Sequence, residues 1–267
     1  MIKLDSKILY PWYTDVLLNK EISLFVPWIF YMAALAVHHL TVMYHHEPVV
    51  WDVSLTVPAG VLGAIVGPNG AGKTTFLKAI LQLVDPFAGT VFWFGKQYAE
   101  KRHAIAYVPQ RMSVDWNFPA SVLDVVLMGR YCPEQWFWRP NKQDTICAYE
   151  AIAQVGLERY AHVAIGQLSG GQQQRVFLAR ALVQDALIYC MDEPFTGVDA
   201  LTEQMMVTLF KKLCAQGKTI IMVHHDLQTV PLYFDWLALL NKSCIASGPV
   251  DAVFTKEYIM ATYGNYC

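Results

Sequence analysis

From about Leu35 the chain alternates short runs rich in β-branched and aromatic residues with turn residues: ALAVHHLTVMY, VVWDVSLTV and VLGAIVGPNG. Runs of this kind predict strands. The segment TTFLKAILQLV then has apolar positions at helical spacing and ends before Asp85 and Pro86, which predicts a helix there. TVFWFG and IAYVPQ follow and read as a further pair of strands. Between about 112 and 166 the pattern becomes helical, with SVLDVVLMGRY and DTICAYEAIAQVGL interspersed with Trp116, Phe118, Trp136, Phe137 and Trp138. Beyond Ser169 the order is helix (QQQRVFLARALVQ), strand (LIYCMDE), helix (LTEQMMVTLFKKLCAQG) and strand (TIIMVHH). That alternation builds a parallel sheet wrapped by helices. Two short strands, DWLALLN and SCIASG, and a terminal helix complete the pattern.

At 267 residues the chain can bury one large core or two unequal lobes. Its 20 Lys and Arg against 22 Asp and Glu give no basic excess of the kind that neutralises a phosphate backbone, so nucleic acid is not an expected partner. An apolar content of 55% and a mean hydropathy of +0.29 raise the question of a membrane span. The one candidate, Ile22 to Val37, is interrupted by Pro27 and falls short of the ~20 residues that cross a bilayer. Asp5, Asp15 and Glu21 also spoil the shape of a secretory signal. The six cysteines are scattered without a C-x-x-C pair, which suits reduced thiols.

Gly67, Pro68, Asn69, Gly70, Ala71, Gly72, Lys73 and Thr74 fit the spacing G-x-x-x-x-G-K-S/T between an apolar strand and a helix, with Thr75 next in line. Glycines at that spacing let backbone N–H groups turn toward phosphate oxygens, and the following helix N-terminus adds a favourable dipole. Lys73 would reach the β- and γ-phosphates of ATP, and the Thr74 hydroxyl would bind Mg²⁺. At the end of the strand LIYCMDE, Asp192 is a candidate Mg²⁺ ligand and Glu193 a candidate general base for the attacking water. An acidic pair that merely caps the next turn is the alternative.

Leu168, Ser169, Gly170, Gly171 and Gln172 open the helix QQQRVFLARAL, and this set resembles the signature of ABC-type ATPases. The resemblance runs from about Met32 to the C-terminus. It implies an α/β P-loop NTPase (RecA-like) core with an N-terminal antiparallel β subdomain and an inserted α-helical subdomain over about 112–166. It also implies a head-to-tail pairing with a second ATPase subunit, most simply a homodimer, in which Ser169, Gly170, Gly171 and Gln172 meet the γ-phosphate of the partner's ATP. By the same resemblance Tyr44 stacks on adenine, with Tyr31 and Trp51 as substitutes and strand packing as the alternative. Gln110 senses Mg²⁺ or water and links core to insertion, Asp199 crosses the dimer interface, and His225 hydrogen-bonds the γ-phosphate. Where many relatives have Ser-x-Leu-Asp, this chain has Thr-Gly-Val-Asp ending at Asp199. His224, one residue earlier, is expected on the opposite face of its strand.

The stretch VPQRMSVDWNFPASVLDVVLMGRY, together with EPFTGVDA, is similar to ATPase subunits of manganese, zinc or iron importers. That resemblance implies a peripheral protein on the cytoplasmic side of the inner membrane. Its partners would be integral membrane permease subunits docking on Arg111 to Tyr131 and, indirectly, an extracytoplasmic metal-binding protein. The pairs His38-His39 and His45-His46 are not expected to bind metal, because adjacent histidines in a strand point to opposite faces. Residues 1–31 precede the resemblance, and are either an apolar tail against membrane or permease or a mis-assigned start before Met32; residues 32–267 form the ATPase domain. A soluble ABC ATPase of iron–sulfur assembly, DNA repair or translation is the competing reading. It would call for coiled-coil insertions, C-x-x-C zinc elements, basic patches or duplicated cassettes, none of which this sequence carries. A plain P-loop kinase would need neither Leu168 to Gln172 nor His225, and a non-hydrolysing module would lack Glu193.

Overall fold

The computed structural model describes residues 33–111, 116, 118–131 and 139–264. The expectations for residues 1–31, Tyr31, Trp136, Phe137 and Trp138 lie outside the described residues. Strands β1 (Ala33–Tyr44) and β2 (Glu47–Pro58) pair antiparallel across a tight hairpin. His45 and His46 occupy its tip with left-handed φ of 47° and 69°, so they sit in a turn and not in a strand. His39 is also left-handed, at a register shift between Val37 and Leu40, and its Nδ1 lies 2.7 Å from Asp52 Oδ1. A bulge of this kind suspends the two-residue alternation on which the expectation for these histidines was built. No group of three or more His, Cys, Asp or Glu placed to hold a metal ion occurs among the described residues.

Strand β3 (Leu62–Val66) belongs to a second sheet, while β4 (Ala88–Trp93) joins the free side of β1 to give the order β2-β1-β4. TVFWFG and IAYVPQ are therefore not partners. Trp93 is buried and donates its indole N–H to Ile80 O at 3.2 Å, tying β4 to the end of the helix Lys73–Ile80. β5 (Ile105–Val108), apolar toward both faces, enters the second sheet instead, where two-sided burial suits it.

With β6 (Ile188–Asp192), β7 (Thr219–Val223), β8 (Trp236–Asn241) and β9 (Ser243–Pro249), that sheet runs β5-β6-β7-β3-β8-β9. It is parallel up to β8, and β9 closes it antiparallel. Successive residues of the central strands enter two separate cores. Ile65, Cys190, Val223 and Leu240 pack toward the antiparallel sheet, and Ala64, Met191, Met222 and Leu239 pack toward the helices. Each large aliphatic side chain so buried contributes roughly 1.5–3 kcal/mol, which fixes the sheet and everything along its C-terminal edge.

The helix after β3, α1 (Lys73–Ile80), buries Phe76, Leu77 and Ile80 between the two sheets. It is shorter than the run TTFLKAILQLV suggests. Gln82 takes a left-handed φ of 52° and Leu83 turns out to solvent, so helical spacing in the sequence outlasts the helix itself. Three further helices, α2 (Val122–Leu127), α3 (Lys142–Gln154) and α4 (Gly170–Leu182), each start at a reciprocal capping box, made by Ser121 with Asp124, Asn141 with Asp144, and Ser169 with Gln172. Such boxes satisfy two otherwise orphaned amides per helix. α2 packs on α3 and α4 as the expected helical insertion. The helices α5 (Ala200–Ala215) and α6 (Lys256–Tyr263) complete the order.

The insertion is pinned to α4 at one tight point. A Cβ on Gly129 would collide with Arg180 O, and next to it Arg130 donates to Asp144 Oδ1 at 2.9 Å and to Val183 O at 3.4 Å. Trp116 packs edge-on against Phe177 at 5.1 Å, so this ring is core and not docking surface. Gly129→Ala is expected to lower the unfolding free energy by about 1–3 kcal/mol, the usual cost of overpacking, as read by urea denaturation.

Candidate functional site

The segment Gly67 to Thr74 leaves the C-terminal end of β3 and wraps back to start α1. A Cβ on Gly67 would strike Leu240 O in the neighbouring strand β8, and one on Gly72, whose φ is 87°, would lie 2.5 Å from Val49 O. Both positions therefore require glycine, for close approach in the first case and for approach plus a left-handed backbone in the second. Gly72 caps α1 without a side-chain hydrogen bond, which leaves first-turn amides available to an anion.

Lys73 is buried, with Nζ donating to Gly67 O at 2.8 Å and Pro68 O at 2.9 Å. Burial lowers its pKa, and the carboxylates of Glu193 and Asp192 oppose that shift. An ammonium has three donors, so two carbonyl contacts leave a third for a phosphate oxygen. Thr74 Oγ1 donates to Asp192 Oδ1 at 3.0 Å. Asp192 Oδ2 is buried and has no hydrogen-bond partner among the described residues. Burial raises the Asp192 pKa, the Thr74 hydrogen bond opposes this, and neighbouring Glu193 adds to it. A hydroxyl and an under-satisfied carboxylate side by side suit a hard divalent cation, so Thr74 and Asp192 fit Mg²⁺.

Glu193 follows with a left-handed φ of 49°, and its Oε2 accepts from Gln110 Nε2 at 3.1 Å and from Thr196 Oγ1 at 3.2 Å. One open cleft is lined by Val49, Asn69, Gly70, Ala71, Gly72, Lys73, Thr74, Thr75, Gln110 and Glu193. Residues drawn from β2, the loop and α1, and the ends of β5 and β6 thus converge on one space. Val49 and Thr196 are absent from the sequence expectations. Thr196 carried a local signal, a hydroxyl three residues after a strand-end carboxylate, whereas Val49 is placed only by the hairpin's return past Gly72.

Ser169, Gly170, Gly171, Gln172 and Asp199 are not among the residues that line this cleft. In the capping box Gln172 Oε1 accepts from the Ser169 backbone N–H at 2.8 Å, and Ser169 Oγ accepts from the Gln172 backbone N–H at 3.4 Å. A Cβ on Gly171 would lie 3.3 Å from Gly197 O, so the start of α4 adjoins the loop that carries Asp199. Asp199 caps α5, accepting from Thr202 N at 3.0 Å and Thr202 Oγ1 at 2.8 Å, and these bonds hold its pKa down. Tyr44 is 45% exposed at the end of β1, near the hairpin tip, and Trp51 is exposed on β2.

β7 ends at Val223, so His224 and His225 lie beyond it and the strand alternation expected to separate them does not operate. Their ring centroids are 5.8 Å apart. His225 is exposed, whereas His224 is buried against Phe195 and Phe234, with Nε2 2.7 Å from Thr229 Oγ1.

A family model described as "ABC transporter" matches residues 50–196. The zinc transport system ATP-binding protein TroB of Treponema pallidum is 55% identical over 232 residues, which are 87% of each chain. The manganese transport system ATP-binding protein MntB of Bacillus subtilis is 56% identical over 227 residues, 85% of this chain and 91% of that one. Among solved structures, an inward-facing metal-chelate type ABC transporter superposes with a TM-score of 0.75 at 28% identity, over 86% of this chain and 88% of that one. No helix among the described residues is long and apolar enough to cross a membrane.

Burial, and then the neighbouring His225, lower the His224 pKa from 6.5 to about 4. The unfolded chain therefore takes up the proton first. Stability from this group is complete above pH 6.5 and is lost as pH falls toward about 4. A shift of this size corresponds to about 3 kcal/mol. Chemical denaturation between pH 7.5 and 4.5 is expected to show that decline, and His224→Gln is expected to flatten it.

Proposed function

The chain belongs to the ABC transporter family of ATP-hydrolysing proteins, and on that premise we propose that its hydrolysis of ATP powers uptake of a transition metal ion, manganese, zinc or iron. The observation that supports the cargo is the high identity, over nearly nine-tenths of each chain, to ATPases of zinc and manganese transport systems. The geometry that supports the chemistry is the pairing of Thr74 with Asp192, and of Gln110 with Glu193, along one cleft.

In this reading the amides of Gly70 to Thr75 and the Lys73 ammonium hold the phosphates. Thr74 and Asp192 hold Mg²⁺, with Gln110 beside them. When bound, Mg²⁺ supplies charge neutralisation at the phosphate oxygens. Glu193 takes the proton of the attacking water, and the Gln110 amide and Thr196 hydroxyl fix the orientation of its carboxylate. His225, exposed at the end of β7, reaches the γ-phosphate, and Tyr44 meets the adenine.

Ser169 to Gln172 and Asp199, set together and apart from the cleft, serve the nucleotide of a second subunit in a head-to-tail dimer. The first turn of α4 carries no acidic side chain, so its N-terminus favours an anionic ligand. The permease docks on the insertion, where Phe118 and Tyr131 are 54% and 57% exposed. An extracytoplasmic protein delivers the metal, and the subunit works at the cytoplasmic face of the membrane.

Glu193→Gln is expected to keep ATP binding, to lower turnover by about 10²- to 10⁴-fold, and to accumulate an ATP-dependent dimer on size exclusion. A monomer with full ATPase activity would contradict this. Cells lacking the chain are expected to lose uptake of one of the three metals, with recovery on re-expression of the wild type and not of Glu193→Gln.

A further inference from the structure

Gln110 and Arg111 are neighbours that grip different parts of the site. Gln110 Nε2 donates to Glu193 Oε2 at 3.1 Å, on the cleft. Arg111 Nε donates to Gln173 Oε1 at 2.9 Å, in the first turn of α4. Gln173 is 4% exposed and its Nε2 donates to Ile165 O at 3.2 Å, so both ends of its carboxamide are fixed. The Arg111 guanidinium also lies flat against Gly170, where a Cβ would sit 2.9 Å from Cζ. Its main-chain O accepts from Trp116 Nε1 at 3.0 Å, and the Trp116 ring packs on Phe177 of the same helix.

Arg111 is thus clamped to α4 through a side-chain hydrogen bond, a face contact at Gly170 and an indole bridge. A cation at a helix N-terminus opposes the helix dipole, so the placement is held by these contacts and not by general electrostatics. The planar peptide between Gln110 and Arg111 cannot absorb displacement along the chain. Gln110 on the cleft and Gly170 and Gln173 on α4 are thus linked through one peptide and one side chain. On its far side Gly171 abuts Gly197, so the start of α4 is seated between Arg111 and the loop of Asp199.

We propose that Arg111 is a positioning residue that couples the Gln110–Glu193 pair of one subunit to the presentation of Ser169, Gly170, Gly171 and Gln172 to the nucleotide of the partner subunit. This rests on the head-to-tail reading above. Arg111 touches no phosphate itself. It makes the two composite sites of the dimer report to each other, because each subunit gives Gln110 to one site and the start of α4 to the other.

The test is made in full-length Glu193→Gln protein, with and without Arg111→Ala, Arg111→Lys or Gln173→Leu. Dimer fraction is followed by analytical ultracentrifugation against ATP concentration with Mg²⁺, and affinity of the cleft alone by mant-ADP fluorescence. Arg111→Ala and Gln173→Leu are expected to raise the ATP needed for half-dimerisation about tenfold, the usual weight of a charge-assisted hydrogen bond. Arg111→Lys, which keeps a donor and loses the planar contact with Gly170, is expected to fall between. In all three the mant-ADP affinity is expected to stay within about twofold of the parent, a change small beside that bond's tenfold. An unchanged ATP requirement in Arg111→Ala overturns the coupling while leaving the head-to-tail dimer intact. A mant-ADP affinity that falls as far as dimerisation does overturns it too, because Arg111 would then only support the fold. A Glu193→Gln parent that stays monomeric at saturating ATP overturns the dimer and the coupling together.

Discussion

Asp192 ends a central strand with its carboxylate almost fully withdrawn from water, one oxygen on the Thr74 hydroxyl and the other without a hydrogen-bond partner among the described residues. Burial raises its pKa, and the Thr74 hydrogen bond opposes the rise. β6 is packed on both faces and paired at both edges. Ile188 and Cys190 face one core, Tyr189 and Met191 face the other, and β5 and β7 hydrogen-bond its two edges. The glycine loop, Glu193 and the turn after β7 all leave the same edge of that sheet. The strand that holds this carboxylate thus also sets the geometry of the cleft.

Much of this was legible in the sequence for a physical reason. Phosphate binding needs glycines, a lysine and a hydroxyl at fixed short spacing, so Gly67 to Thr74 announces itself locally. Asp192 and Glu193 follow an apolar strand, where a buried acidic pair is conspicuous. Ser169 to Gln172 combine a cap and glycines before a helical run. What the sequence hid are arrangements set by tertiary approach. IAYV and TVFWFG look alike as strands, yet TVFWFG pairs with β1 in one sheet and IAYV with β6 in the other, a choice made by tertiary partners. The left-handed residues at His39, His45, His46 and Gln82 end or interrupt elements without a Gly or Pro to mark them. Arg111 and Gln173 are 62 residues apart, and no local pattern joins them.

The separation of the two phosphate-directed segments gives the molecule its mechanism. The cleft brings Lys73, Thr74, Gln110 and Glu193 together, and the proposed reading assigns them to the phosphates, Mg²⁺ and the attacking water. The helix end at Ser169 to Gln172, beside Gly197 and Asp199, is not among the residues lining that cleft, and in the proposed head-to-tail dimer it meets the nucleotide of a second subunit. In that proposed dimer, hydrolysis depends on closure between subunits. In the same proposal a permease docked on the insertion acts on that closure through α2 and α3, which are pinned to α4 at Gly129, Arg130 and Asp144.

The claim that one subunit's loop works with the other subunit's α4 is tested most directly by complementation. Lys73→Ala disables the loop and Ser169→Arg disables the helix end, so each protein alone is expected to be inactive. Mixed, they form heterodimers in which one of the two composite sites has both an intact Lys73 and an intact Ser169. The account predicts that ATPase activity returns on mixing. An inactive mixture in which heterodimers are shown to form, or a Ser169→Arg protein that hydrolyses ATP normally by itself, would contradict it.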